Sequence, residues 1–231
     1  MDSKRAEAFS DGVFAVAITV LVFNLLGIGS GSHALTYRLL LAAWPSYFAY
    51  VVSFLTIGIM WMNHHTLFAH VTRVDRMLLV LNTFLLMGVV AVPFPTALVA
   101  DQLKAGAQAT GRAAVDAATA SGMVATVAYG LIMIAISIGY SLMWFYMASH
   151  QQQLGALRKL QVSRTSNIRF TAGMGGYVLG TLIAAFASAV AGLAIFGLLA
   201  VYYLFEHLPD PSEQTDEASG AGFQDGGDFS S

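Results

Sequence analysis

RAEAFSDGVFAVAITVLVFNLL, residues 5–26, decides the fold. A polar head (Arg5, Glu7, Ser10, Asp11) runs without a break into an apolar helix long enough to cross a bilayer. An ionisable group inside such a segment is costly unless it is paired or meets water, so Asp11 marks a functional or structural site by default. The rest of the chain agrees with a membrane reading. Of 231 residues, 57% are hydrophobic and 10% charged, against about 25% charged in a soluble domain. The first apolar run lacks a small-residue cleavage site, so it is expected to remain as a span and not to be removed as a signal. With Cys 0, disulfides, thiol chemistry and Cys-based metal sites are excluded.

A span needs about 20 mostly apolar residues. Six fit the chain. The first runs over residues 9–28 and is ended by Gly27, Gly29 and Gly31. The second covers 37–71, with Pro45 as its kink or start. The third covers 77–93 and is stopped by Pro93 and Pro95. A polar, Ala-rich loop is expected over 101–120, followed by the fourth span at 123–147. A hydrophilic connector, or short interfacial helix, fills 151–169. Residues 170–205 are too long for one span and split near 188–192 into two. The fold class is therefore all-α, a polytopic membrane protein with six transmembrane helices over residues 1–208. Closed strands are excluded because the runs are too long and do not alternate. Residues 209–231, acidic and rich in Gly and Ser, form a disordered tail.

An even number of spans places both termini on one side. With that side cytoplasmic, inner segments hold Lys4, Arg5, Arg73, Arg76, Arg158, Lys159, Arg164 and Arg169, and outer ones hold Arg38, Lys104 and Arg112. The positive-inside rule thus puts both termini in the cytoplasm of a multi-pass protein of the cell membrane. The lipid bilayer is its first partner; no nucleic acid is expected.

On a helical wheel Phe9, Gly12, Val16, Val20, Phe23 and Gly27 fall within about 40° of one line, and Thr19 borders it. Ser10 and Asp11 project elsewhere. Taken from spacing alone, this stripe reads as helix-packing surface, with glycines allowing close approach. Depth matching adds a second feature. The second helix returns with Trp61, Asn63, His64 and His65 at the level of Asp11. A buried carboxylate needs donors, and indole, imidazole and amide groups supply them. A structural polar network of Arg5, Ser10, Asp11, Trp61, Asn63, His64 and His65 is expected. Adjacent histidines point about 100° apart and cannot readily chelate one ion, so no metal site and no cofactor are expected. Imidazole titrates near neutrality, which leaves proton sensing open beside the plainer hydrogen-bonding role.

These residues carry a resemblance. Arg5, Phe9, Ser10 and Asp11 (R-x-x-x-F-S-D), followed by GVFAVAITVLV, are similar to the signature of the transmembrane protein 175 family. Trp61–Phe68 (WMNHHTLF) and Val92–Leu98 (VPFPTAL) look like the same family. Past Leu98 the likeness is one of hydropathy and topology. The resemblance implies a potassium channel without the usual carbonyl filter. It also implies a homotetramer, because prokaryotic members carry one six-helix repeat.

In that family the first helix lines the pore, and its constriction lies at spacing i, i+4, i+7, beginning three residues before a Thr. Thr19 sets the register, so the resemblance assigns the constriction to Val16, Val20 and Phe23. It assigns pore lining to Thr19, Gly12 and Gly27, with Phe9, Ser10 and Asp11 in contacts between helices. These are the wheel's stripe positions, and the agreement turns the packing reading into a pore reading. Val and Phe stand where the family usually has Ile and Leu. The chain has no TVGYG, so no backbone cage replaces K⁺ hydration; apolar rings can instead gate by dewetting. K⁺ gives up water more readily than Na⁺, so a modest K⁺ preference is expected, with K⁺ as the permeant ion. The alternative is a secondary transporter or proton-coupled carrier. That would need a titratable group at mid-membrane or broken helices in a repeat, and neither is evident. A membrane enzyme would need a converging nucleophile, acid and base; the chain is not expected to be an enzyme.

Overall fold

The computed structural model describes residues 2–26, 37–155 and 164–205. The expected tail at 209–231, Gly27 and most of the connector at 156–163 lie outside the described residues. All named elements are helices: α1 (Ser3–Val20), α2 (Phe23–Leu26), α3 (Tyr37–Ala42), α4 (Trp44–Phe68), α5 (Arg76–Ala91), α6 (Pro93–Gln108), α7 (Arg112–Ser149), α8 (Arg164–Phe186) and α9 (Ala189–Phe205). They form six apolar stretches. Four are long enough to cross a membrane, and Gly173–Phe186 and Ala189–Tyr203 are shorter apolar helices.

Local chemistry sets the boundaries. Asp2 caps α1 through the Lys4 N–H at 3.2 Å. Pro45 sits in the first turn of α4, where its missing N–H costs nothing. The buried side of α1 and the turn that follows it is Ser3, Ala6, Ser10, Phe14, Ala17 and Leu21. That three-and-four spacing is the packing face of a helix. Leu21 and Val22 form a tighter turn between α1 and α2, with i→i−3 bonds Val22 N–H to Thr19 O (3.2 Å) and Asn24 N–H to Leu21 O (3.1 Å).

Two sequence expectations are corrected. Pro93 and Pro95 do not end the third stretch. They occupy the first turn of α6, which continues to Gln108, and the Val92 N–H takes the Val89 carbonyl at 3.1 Å across the break. The Ala-rich segment at 101–120 is helical except for residues 109–111, because alanine has the highest helix propensity even where hydropathy is low. Gly111, at φ 88°, turns the chain into α7. With 38 residues, α7 is about 57 Å long and exceeds a hydrocarbon core of about 30 Å. The split of the last stretch falls at Ala187 and Ser188, at the start of the expected 188–192. There α8 and α9 meet closely: a Cβ on Gly192 would lie 2.7 Å from the Gly180 carbonyl.

Polar ties cross the bundle. The Tyr140 hydroxyl donates to Met60 O at 2.6 Å, the Ser53 and Thr96 hydroxyls meet at 2.9 Å, and the Asn24 amide donates to Pro93 O at 3.3 Å. At the end where the chain starts, the α4–α5 loop is gripped from both sides. Ser3 N–H donates to Thr72 O (3.2 Å), while Thr72 and Arg73 N–H both donate to Leu154 O (3.2 and 3.1 Å). Thr72 Oγ1 donates to Gly155 O at 3.0 Å, and Gly155 takes φ 60°.

Asp75 locks the same junction. It caps α5 through the Leu78 N–H at 2.8 Å and accepts the Tyr146 hydroxyl, whose ring stacks on His150 at 4.3 Å. Burial pushes the Asp75 carboxyl up, but the hydrogen bonds from Tyr146 and Leu78 and the nearby His150 outweigh it and hold it below the ordinary carboxylate value. A depressed carboxyl stabilises the fold above its unfolded pKa, and that contribution is lost as pH falls through the folded value. Tyr146→Phe is therefore expected to lower the unfolding temperature at neutral pH and to shrink the loss seen on acidification below about pH 4. Thermal scans of both proteins across pH check this; parallel curves would contradict it.

Candidate functional site

Two faces of α1 carry the chemistry. One is packed against α4 and α5; the other is left open.

The packed face holds a relay of buried side chains. Ser10 Oγ, fully buried, donates to Ala6 O at 2.9 Å and accepts from Asn82 Nδ2 at 2.9 Å. Asn82 Oδ1 lies 2.8 Å from His64 Nε2. Because the Asn82 amide nitrogen is turned to Ser10, its oxygen faces the imidazole, and His64 Nε2 is the donor. Three helices are thereby joined by one directional chain: α4 through His64, α5 through Asn82, α1 through Ser10. The His64 ring stacks on Phe68 (4.5 Å) and tilts against Phe14 (5.3 Å). Among the described residues its other nitrogen, Nδ1, has no hydrogen-bond partner.

A second, more exposed tier lies beside it. The Trp61 indole N–H donates to Asp11 Oδ1 at 2.8 Å, and His65 Nδ1 lies 2.6 Å from Glu7 Oε1. The Trp61 and His65 rings approach to 6.0 Å. Each of these pairs links α1 to α4 at the depth the sequence suggested.

Of the expected polar residues, the structure brings together Ser10, Asp11, Trp61, His64 and His65. Arg5 is exposed, and Phe9 stands on the open face. Asn63 turns away from α1 into a cavity lined by α4, α7, α8 and α9. Adjacent helical residues point about 100° apart, so Trp61, Asn63, His64 and His65 could not all face one neighbour. Two partners were missed from sequence, Glu7 and Asn82. The signal for Asn82 was present: it is an amide within the apolar run LLVLNTFLL. Among the described residues no group of three His, Cys, Asp or Glu side chains converges as a metal site.

The open face is the apolar stripe. Phe9, Val16 and Phe23 are 63%, 56% and 62% exposed, whereas Phe14 and Ala17 on the other side are 1%. Gly12 and Thr19 are exposed on the same stripe, and a Cβ at Gly12 would meet nothing within 4 Å. Val20 is half-buried at the margin. The Thr19 hydroxyl donates to Val16 O at 2.8 Å, so its proton is committed to the helix while its lone pairs face outward. The tight turn at Leu21–Val22 alters the angular register beyond Thr19, and Phe23 still emerges on the open side.

Comparison with known proteins gives a consistent set of relatives. Residues 5–93 match the family described as "Endosomal/lysosomal potassium channel TMEM175". A potassium channel of Streptomyces collinus is 43% identical over 218 residues, covering 92% of this chain and 97% of the relative. The crystal structure of a lysosomal potassium-selective channel TMEM175 homolog from Chamaesiphon minutus superposes with a TM-score of 0.67 at 33% identity, covering 87% of this chain and 96% of that one. The endosomal/lysosomal proton channel TMEM175 of Danio rerio is 38% identical over 101 residues, 40% of this chain and 19% of the relative.

Proposed function

Since this chain belongs to the TMEM175 family, a family of channels and not of enzymes, we propose that it is a potassium-permeable cation channel whose pore is lined by α1. The observation that carries the reading is the open stripe. A helix that buries one face against its own bundle, yet leaves Phe9, Gly12, Val16, Thr19 and Phe23 uncovered along its length, needs a surface to meet. Around a symmetry axis those faces would converge on a common path. Four such chains around the axis would form a homotetramer in the bilayer.

In this arrangement Val16, Val20 and Phe23 form the hydrophobic constriction, with Thr19 among them and Gly12 beside them on the path. Apolar rings of this kind hold back water and ions until they widen. Partial dehydration costs Na⁺ more than K⁺, which gives a modest preference without a carbonyl filter. No prosthetic group is required; K⁺ is the permeant ion. The charge pattern supports a cell-membrane protein with both termini in the cytoplasm.

A carrier is less well supported. Its coupling site would sit near mid-membrane, whereas Glu7, Asp11, His64 and His65 gather toward one end of α1 and α4 and are tied to each other or to Trp61 and Asn82. Purified protein in liposomes under opposed K⁺ and Na⁺ gradients is expected to give a reversal potential displaced toward that of K⁺. A reversal potential at zero, or flux that requires a second coupled ion, would contradict the proposal.

A further inference from the structure

Among the described residues, the polar ties between α1 and the rest of the chain all lie at or before Asp11. Ser3 N–H donates to Thr72 O (3.2 Å), Glu7 Oε1 meets His65 Nδ1 (2.6 Å), Ser10 Oγ accepts from Asn82 Nδ2 (2.9 Å) and Asp11 Oδ1 accepts from the Trp61 indole (2.8 Å). The next tie along the chain is already in α2, where the Asn24 amide donates to Pro93 O at 3.3 Å. Between these anchors Phe14, Ala17 and Leu21 are buried without a side-chain hydrogen bond to a neighbouring helix, and the Thr19 hydroxyl bonds within α1. The two kinds of contact differ in a bilayer. A broken hydrogen bond finds no substitute in hydrocarbon. An apolar contact between helices can be exchanged for one with a lipid tail or another side chain at little cost.

Both ends of the untied stretch are points where the helix yields. At the outer end Leu21 and Val22 form the tighter turn that leads into α2. At the inner end stands Gly12, the one glycine of α1. Glycine within a helix costs stability because its backbone is freer than that of any other residue. Nothing within the protomer requires that cost: Gly12 keeps ordinary helical backbone, and a Cβ there would meet nothing within 4 Å.

We propose that residues 13–20 form a movable segment of the pore helix, hinged at Gly12 and at the Leu21–Val22 turn, whose sideways displacement widens the constriction. This rests on the reading of α1 as the pore lining. The inner end of α1 and Asn24 stay anchored, while Val16, Thr19 and Val20 ride on the segment between them. Bends in helices concentrate at glycine, and a few residues at the ends of elements absorb the dihedral changes of a hinge.

The test stiffens α1 without a clash in the protomer. Gly12→Ala is expected to lower K⁺ flux in liposomes about fivefold, because alanine favours the unbent helix over the bent one. It should also slow amide hydrogen exchange at residues 13–16, whose helical bonds span position 12. The added methyl faces the path, so a second variant separates stiffness from bulk. Gly12→Ala combined with Ala15→Gly keeps that methyl and returns a glycine to the untied stretch, at an exposed position about 100° off the stripe. Flux and exchange should then both move back toward wild type. Unchanged flux or exchange in Gly12→Ala, or a double variant with flux as low as the single, would overturn the hinge. Folded wild-type protein that carries no K⁺ would instead contradict the channel reading, and the hinge as a gate with it.

Discussion

Asn82→Leu is expected to destabilise the folded protein by about 1–3 kcal/mol, the largest effect among substitutions outside the open stripe. Asn82 is the middle of the relay, so its loss removes two interhelical hydrogen bonds at once: the one to Ser10 and the one from His64. Hydrogen bonds between membrane helices average about 0.6 kcal/mol and reach about 1.7. Orphaning the His64 N–H and the Ser10 oxygen in a buried, apolar site adds to this. Thermal unfolding in detergent gives the single cost, and a cycle with His64→Leu isolates the coupling. Because His64 has Asn82 as its hydrogen-bond partner, the double variant should cost clearly less than the sum of the singles. Strict additivity would show that the relay does not act as a unit. Replacing Ser10 by Ala should be milder, since it leaves the Asn82–His64 bond in place.

The second large effect concerns flux. Val16→Ser and Phe23→Ser should each raise K⁺ permeation about fivefold or more, because about 1 kcal/mol removed from a barrier is about a factor of five. In a homotetramer each substitution changes the ring at four places, so even a small change per side chain accumulates. Both side chains are more than half exposed in the protomer, and neither touches the relay, so stability should change little. K⁺ preference over Na⁺ should fall along with the barrier, since a wetter neck no longer demands partial dehydration. Liposome flux at matched protein density measures both. Unchanged flux in both variants would place the constriction elsewhere.

Much of this was legible because membranes simplify the code. Runs of about 20 apolar residues announce spans, and polar residues inside them announce contacts or sites. Ser10, Asp11, Trp61, His64 and His65 were readable for that reason, and matching depths on antiparallel helices placed them together. Angular detail was harder. Asn63 shares a motif with His64 and His65, yet the helix turns it to the opposite neighbour. Asn82 lies in the interior of the third span, where the signals that set span boundaries say nothing about partners. At 101–120 low hydropathy suggests a loop, whereas the alanine content favours helix. Pro93 and Pro95 look like a stop in sequence, but proline is equally at home in the first turn of a new helix. The open stripe was visible as periodicity, but periodicity does not distinguish packing surface from pore; the family signature and the exposure of Phe9, Val16 and Phe23 together favour the pore.

The central claim is that the stripe on α1 lines the ion path. The chain contains no cysteine, so a single introduced thiol is unique and its access to a permeant-sized thiophilic ion can be read directly. Val16→Cys and Phe23→Cys proteins in liposomes should lose K⁺ flux on addition of Ag⁺, while Phe54→Cys, exposed on α4, should keep it. Block at positions 16 and 23 alone is the predicted result. Flux through Val16→Cys and Phe23→Cys that ignores Ag⁺, or block at Phe54→Cys to the same degree, would contradict the account.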